Sequence, residues 1–159
     1  MIRQADKNLS AHRFLLGMSS QDVGLIADCA LIVHYPKGAV IFREGEDADR
    51  LFLIEDGQVA LESDVGSELI VTETVSAGEL LGLSWLFPPH KWRVTARACE
   101  ATTAVAINGL LLRKYSERDR SLGFQLYKRF TEVMTHRFQS MRSRFIESTI
   151  RDGCPPPCE

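Results

Sequence analysis

Between Tyr35 and Val59 the chain reads YPKGAVIFREGEDADRLFLIEDGQV, in which short apolar runs alternate with turn residues. Gly38, Gly45 and Gly57 separate runs of β-branched and aromatic side chains. That is the pattern of strands that turn back about every eight to twelve residues. Gly38 follows Pro36 and Lys37 and predicts a turn into a strand from Ala39 to Arg43. Glu44-Gly45-Glu46-Asp47 predicts a second turn, and Leu51 to Ile54 the next strand. Asp56-Gly57 is a hairpin signal, because both residue types tolerate positive φ. The strand Gln58 to Glu62 alternates Val59 and Leu61 with polar neighbours, one face in and one out. Turn signals at Asp64 to Ser67 and Ser76 to Gly78 extend the strand region over about residues 32 to 107.

Helical patterns flank this region. Ser10 to Leu16 and Ser20 to Leu31 read as helices, the second with cap candidates in Ser19-Ser20-Gln21-Asp22 before Val23, Ile26, Ala27 and Ala30. A short helix is expected over Gly109 to Tyr115 and a long one from about Asp119 to Thr149. The long helix carries Leu122, Leu126, Phe130, Val133, Met134, Arg137, Phe138, Met141, Phe145 and Ile146 at spacings of three and four. A β-barrel can cover the first turns of such a stripe but hardly the whole of it. The order is therefore helix, β-barrel, helix, in one domain over residues 1–150. Residues 151–159 are expected to form a disordered Pro/Cys tail.

Composition fits this picture. The chain has 159 residues, 45 % of them hydrophobic and 25 % charged, as in a soluble globular domain. It has no apolar run long enough to span a bilayer. The N-terminal MIRQADKNLSAHRF lacks the apolar core of a signal peptide, which points to the cytoplasm. Net charge is −2, but residues 1–112 hold nine Lys or Arg against fifteen Asp or Glu, and residues 113–152 ten against five. A basic helix of this kind either touches an acidic partner or presents a solvated face. The four histidines, His12, His34, His90 and His136, are scattered without a His-x-His pair. That leaves a cupin-like metalloenzyme as the weakest of the barrel readings, with no metal site expected.

The cysteines divide in two. Cys29 and Cys99 lie among apolar or small residues and are expected to be buried. Cys154 and Cys158 frame three prolines. A polyproline path of about 3.1 Å per residue would hold their Cα atoms roughly 12 Å apart, beyond disulfide reach. Free thiols, a bridge between chains and shared metal binding all remain open for them.

The segment from Tyr35 to Gly57 resembles the front half of a cyclic-nucleotide-binding domain, the sensor module of the catabolite activator protein and its Fnr-like relatives. The matching positions are Tyr35, Gly38, Ile41-Phe42, Glu44-Gly45-Glu46, Asp49, Leu51-Phe52-Leu53-Ile54 and Gly57, and the resemblance continues through Gly78-Glu79 to Ile107. It implies a mainly β fold, a double-stranded β-helix or jelly roll, followed by a long C-terminal helix. It also implies that this helix pairs in a homodimer, for which Phe130, Met134, Arg137, Met141 and Phe145 are the candidate seam.

The family's chemistry lies in a phosphate-binding cassette. There, backbone N–H groups of a short helix meet the cyclic phosphate, a glutamate accepts from the ribose 2′-OH, and an arginine pairs with the phosphate. The corresponding stretch here is Leu81-Gly82-Leu83-Ser84-Trp85, a loop through Phe87-Pro88-Pro89-His90, then Lys91-Trp92-Arg93. Gly82 matches the cassette glycine, and Leu83 stands at the ribose-acid position. A buried ribose hydroxyl without its acceptor costs on the order of 1–3 kcal/mol. Counting forward from Phe87 places the phosphate arginine on Arg93; counting back from Ala98 and Ile107 places it on Trp92; Lys91 is another cation within reach, and Arg93 is the first choice among the three. Trp85 and Trp92 can stack on a purine, fill the ribose space, or cap the barrel.

The resemblance implies a non-enzymatic regulatory sensor that couples a small-molecule ligand, cyclic AMP or cyclic GMP among the candidates, to its C-terminal helix. The alternative is a degenerate dimerisation or interaction module that binds no nucleotide. No other cofactor is implied. About nine residues follow Ile150, too few for the helix-turn-helix that relatives use to read DNA, so no sequence-specific DNA binding is expected.

Overall fold

The computed structural model describes residues 9–66 and 68–151. Residues 9–11 are helical and lead into a 3-10 turn, Arg13–Leu15, so the first predicted helix is broken at His12. Helix α1 spans Ser20–Ala27, with the Ser19 hydroxyl accepting from the Asp22 N–H at 3.1 Å. Eight strands follow among the described residues: β1 Ala30–Tyr35, β2 Val40–Phe42, β3 Arg50–Asp56, β4 Gln58–Val65, β5 Glu68–Ser76, β6 Leu80–Leu81, β7 Thr95–Ala98 and β8 Thr102–Asn108. A 3-10 turn, Ser84–Leu86, separates β6 from β7. Helices α2, Gly109–Arg118, and α3, Arg120–Arg151, complete the chain.

The strands form two four-stranded antiparallel sheets, ordered β1-β8-β3-β6 and β2-β7-β4-β5. This is the jelly roll that the resemblance implies. The Asp56-Gly57 turn lies where expected but is not a hairpin: β3 and β4 belong to different sheets and do not pair, so the turn is a corner that carries the chain from one sheet to the other. Gly57 has φ 91° there, and a Cβ would lie 2.6 Å from the Ala101 carbonyl oxygen, so only glycine fits.

Strand β3 is buried at four consecutive positions, Leu51 to Ile54. It is the central strand that pairs with both β8 and β6, and α2 packs against it as well. A strand covered on both faces loses the polar alternation of a one-sided strand, which explains the unbroken LFLI run. Strand β5, at the edge of its sheet, shows the reverse: Leu69, Ile70 and Val71 are all exposed.

One boundary differs from expectation. The apolar pattern predicts a helix running to Leu31, but α1 ends at Ala27. The Asp28 N–H bonds the Gly24 carbonyl at 3.1 Å and the Cys29 N–H that of Ile26 at 3.0 Å, closing the helix. Ala30 already faces Ile107 in β8, so the β-branched Ile32 and Val33 go to the sheet, where they pack well. Cys29 is buried as expected, whereas Cys99 is only half-buried. Cys154 and Cys158 lie outside the described residues.

The chain divides into two compact units, one up to Gly123 and one from Phe124 onward. At the end of the first, Asn108 caps α2 by accepting from the Leu111 N–H at 3.0 Å. Asp119 then starts α3, its carboxylate accepting from Ser121 and Leu122 N–H groups at 3.0 and 3.1 Å. Along α3 burial ends at Phe130. Phe124, Tyr127, Met134, Phe138, Met141 and Phe145 are exposed, and with Thr131 they recur at steps of three and four, the spacing of a coiled-coil seam.

Candidate functional site

The cassette hangs on two anchors within the first unit. On one side, β6 pairs Leu80 and Leu81 with Leu53 and Phe52 of β3. The Gly78 N–H bonds the Ile54 carbonyl at 2.8 Å, and the Ile54 N–H bonds the Glu79 carbonyl at 3.0 Å. On the other side, the segment 90–92 is laced to the loop 44–48. The Ala48 N–H bonds the His90 carbonyl at 2.8 Å, the Trp92 N–H bonds the Glu46 carbonyl at 2.9 Å, and the Gly45 N–H bonds the Trp92 carbonyl at 2.9 Å. The Glu-Gly-Glu turn of the sequence is thus the mount on which the end of the cassette sits.

Between these anchors lie the residues singled out from the sequence. Leu81, Gly82 and Trp85 are buried, and Leu83 and Ser84 are half-buried. Gly82 has φ 86°, and a Cβ on it would come within 2.9 Å of the Trp92 ring. The indole of Trp92, 4 % exposed, stacks on Phe42 with ring centroids 3.8 Å apart and planes 12° from parallel. Phe42 in turn stacks on Phe52 at 6.1 Å. Trp92 therefore fills the space in front of the cassette glycine. The flanking Lys91 and Arg93 are exposed, the opposite side of the alternation. Lys91 is spoken for by Asp47, at 2.6 Å.

Trp85 is placed by different partners. Its ring lies against Gly109 at the start of α2, where a Cβ would approach Trp85 to 2.6 Å. Its carbonyl accepts from His90 Nδ1 and from Arg113 Nη2, both at 2.8 Å. The Arg113 guanidinium also sits 5.9 Å from the Trp85 ring centroid, within cation–π range. The 3-10 turn of the cassette is thereby tied to α2, the helix that precedes α3.

A cavity of about 350 Å³ opens beside Trp92. Tyr35, Ile41, Phe42 and Phe52 line it with Trp92, and Glu46, Asp47, Asp49 and Arg50 are its charged members. Arg50 is held by Asp49 through two bonds, Nε to Oδ1 at 2.8 Å and Nη2 to Oδ2 at 2.9 Å. That pairing lowers the Asp49 pKa and raises that of Arg50. Burial pushes the Tyr35 phenol up, with the Arg50 charge opposing it. The one cation lining this cavity is already matched, and carboxylates outnumber it three to one. Such a lining receives an anion poorly.

The sequence singled out the cassette tryptophans but not Phe42 as the stacking partner, nor Arg50 and Arg113. Phe42 belongs to a family-type Ile-Phe pair, which was its only signal. Arg50 and Arg113 are single cations in strand and helix patterns, and only folding brings them to the cassette. Among the described residues no group of His, Cys, Asp or Glu is placed to hold a metal, and no helix is long and apolar enough to cross a membrane.

The model of the cyclic nucleotide-binding domain family matches residues 32–119, more than half of the chain. The chain belongs to that family. It is similar to a protein of Geobacter metallireducens GS-15 assigned to cyclic-nucleotide binding, at 29 % identity and TM-score 0.76 over 86 % of this chain and 99 % of that one. It shares its fold with the sensor domain of the transcriptional regulator DNR from Pseudomonas aeruginosa, at 15 % identity and TM-score 0.68 over 84 % and 91 % of the two chains. It also shares it with the regulatory domain of Toxoplasma gondii PKA, solved with cAMP, at 23 % identity and TM-score 0.64 over 80 % and 49 %. No curated protein matches the chain.

Proposed function

We propose that this chain is a cytoplasmic, non-catalytic regulatory module of the Crp/Fnr-like sensor type, whose cassette does not take up cyclic AMP or cyclic GMP. Trp92 carries this reading: stacked on Phe42 and pressed against Gly82, it fills the front of the cassette with the chain's own aromatic ring. Leu83 at the ribose-acid position supports it, because a leucine offers no acceptor to a hydroxyl. So do the outward placement of Lys91 and Arg93 and the carboxylates around the cavity.

The output of the module is its C-terminal helix, paired with that of a second copy. The exposed heptad-spaced positions of α3 favour this pairing, Met134, Met141 and Phe145 of the candidate seam among them. Of the remaining candidates, Arg137 is half-buried and Phe130 is 3 % exposed. The cassette communicates with the helices through Trp85, Arg113 and Gly109. A ligand that binds one arrangement of that contact better than the other shifts the population of helix states. Calorimetric titration with both cyclic nucleotides tests the central point: saturable micromolar heat with either would overturn it.

A further inference from the structure

Strands β4 and β5 pair as a long hairpin, and β5 ends its sheet, so among the described residues no strand pairs with its far edge. Alternate N–H and C=O groups of an edge strand point away from the sheet, unpaired by it. Beyond the bulge at Leu61/Glu62, the tip pairs Val71 with Glu62, Ile70 with Ser63, Leu69 with Asp64 and Glu68 with Val65. Paired residues share a face of the sheet, and neighbours along a strand alternate between faces. Leu69 and Val71 therefore stand on one face of the tip, and Ile70 and Val65 on the other. All four are between 44 and 58 % exposed. A flat surface or a helix laid on the tip would cover only one of these faces. A strand added along β5 meets both, because its own side chains alternate across the edge.

We infer that the edge of β5 is a docking site for an extended, basic segment of another protein, added to the sheet as a further strand. Charge selects this occupant. From Gln58 to Ser76 the chain carries Glu62, Asp64, Glu68 and Glu73 and no Lys or Arg. Glu62 is matched by Arg97 of β7 at 3.0 Å, but Asp64 and Glu68 are exposed, one on each face of the tip. A second copy of β5 would bring four more carboxylates to the edge and no cation to meet them. A strand with β-branched residues opposite Leu69 to Val71, and Lys or Arg opposite Glu68, satisfies backbone, apolar surface and charge together. Neither Lys nor Pro, the usual guards of an open edge, occurs in β5. None of these residues lines the cavity beside Trp92, so the inference stands whatever the cassette binds.

Three synthetic peptides, KTVIVTK, ETVIVTE and KTVPVTK, titrated into the isotope-labelled full chain and followed by amide NMR, test it. KTVIVTK should give saturable shifts centred on residues 68–72 and should slow amide exchange there. Reversing the terminal charges should weaken binding about tenfold, and the central proline, which interrupts the ladder, should abolish it. Glu68→Lys, a change at an exposed position, should narrow the gap between the first two peptides. No shift at residues 68–72 up to millimolar KTVIVTK overturns the inference, and so does a preference for ETVIVTE. Shifts without slowed exchange mean a peptide lying on one face of the tip, and overturn the added strand. Light scattering of the full chain supplies one more outcome. An assembly larger than the helix-paired dimer, dissolved by Ile70→Lys, would put a second copy on β5 and overturn the proposal.

Discussion

The Trp92 indole lies parallel to the Phe42 ring, 3.8 Å away and 12° from coplanar stacking, at the point where the cassette turns past Gly82. A ring this deeply buried is a structural element as well as a plug. Trp92→Ala is expected to destabilise the barrel by about 3–5 kcal/mol, the usual cost of removing a buried large aromatic. Gly82→Ala should be destabilising too, because its φ of 86° and the 2.9 Å approach to Trp92 both oppose a side chain. Urea denaturation of the two single variants and the double checks this: with the indole gone, the clash part of the Gly82→Ala cost should disappear and only the φ part remain.

His12 gives the fold a pH dependence. It is buried, its Nε2 donates to the Ile54 carbonyl at 3.2 Å, and its Nδ1 accepts from the Phe14 N–H at 3.2 Å. The bond from Phe14 requires an unprotonated Nδ1 and so the neutral ring, whereas the bond to Ile54 is made by either form. Burial lowers its pKa below 6.5, with the bond to Ile54 opposing the shift. The unfolded chain therefore takes up a proton before the folded one does. Stability should be complete above pH 6.5 and fall as pH drops below it, until the folded-state pKa is passed, with a slope of up to about 1.4 kcal/mol per pH unit. Denaturation midpoints measured between pH 5 and 8 check the sign, and His12→Gln should flatten the curve.

Cys29 should be inert. Burial, followed by the neighbouring Asp28 charge, pushes its thiol pKa up to about 11, so almost no thiolate exists at pH 8. Peptide-level mass spectrometry after iodoacetamide treatment at pH 8 should find Cys29 unmodified in the native protein and modified in urea. Rapid native labelling at Cys29 would contradict the packing around α1.

The C-terminal helix should hold two copies together. Met134, Phe138 and Met141 are all exposed at heptad spacing, so a charge at Phe138 or Met141 falls in the seam. Light scattering coupled to size exclusion is expected to give a dimer for wild type and a monomer for Phe138→Glu/Met141→Glu, with the β-sheet circular dichroism unchanged. A wild-type monomer at micromolar concentration would remove the pairing.

Much of the barrel was legible in the sequence because its signals are local. Gly38, Gly45 and Gly57 each mark a turn, but the Asp56-Gly57 signal reads as a hairpin while the turn in fact passes between sheets, because the partners of β3 and β4 are set by distant strands. The end of α1 was not legible, because Ala30 to Val33 can satisfy either a helix or a strand, and only the distant β8 decides between them. The cassette was legible by position but not by content. Whether Lys91, Trp92 or Arg93 points inward depends on how the segment 90–92 pairs with the loop 44–48, and that pairing is non-local. The stack on Phe42 joins residues fifty positions apart along the chain, a distance over which no periodicity reports.

The most direct measurement is calorimetric titration of the folded wild-type protein with cyclic AMP and cyclic GMP, followed in parallel by tryptophan emission. With Trp92 stacked on Phe42 near Gly82 and Leu83 at the ribose-acid position, no saturable heat and no emission change are expected up to millimolar nucleotide. Micromolar binding of either nucleotide, with an emission shift that vanishes when Trp92 is replaced by Phe, would show that the indole yields to a cyclic phosphate, contradicting the account.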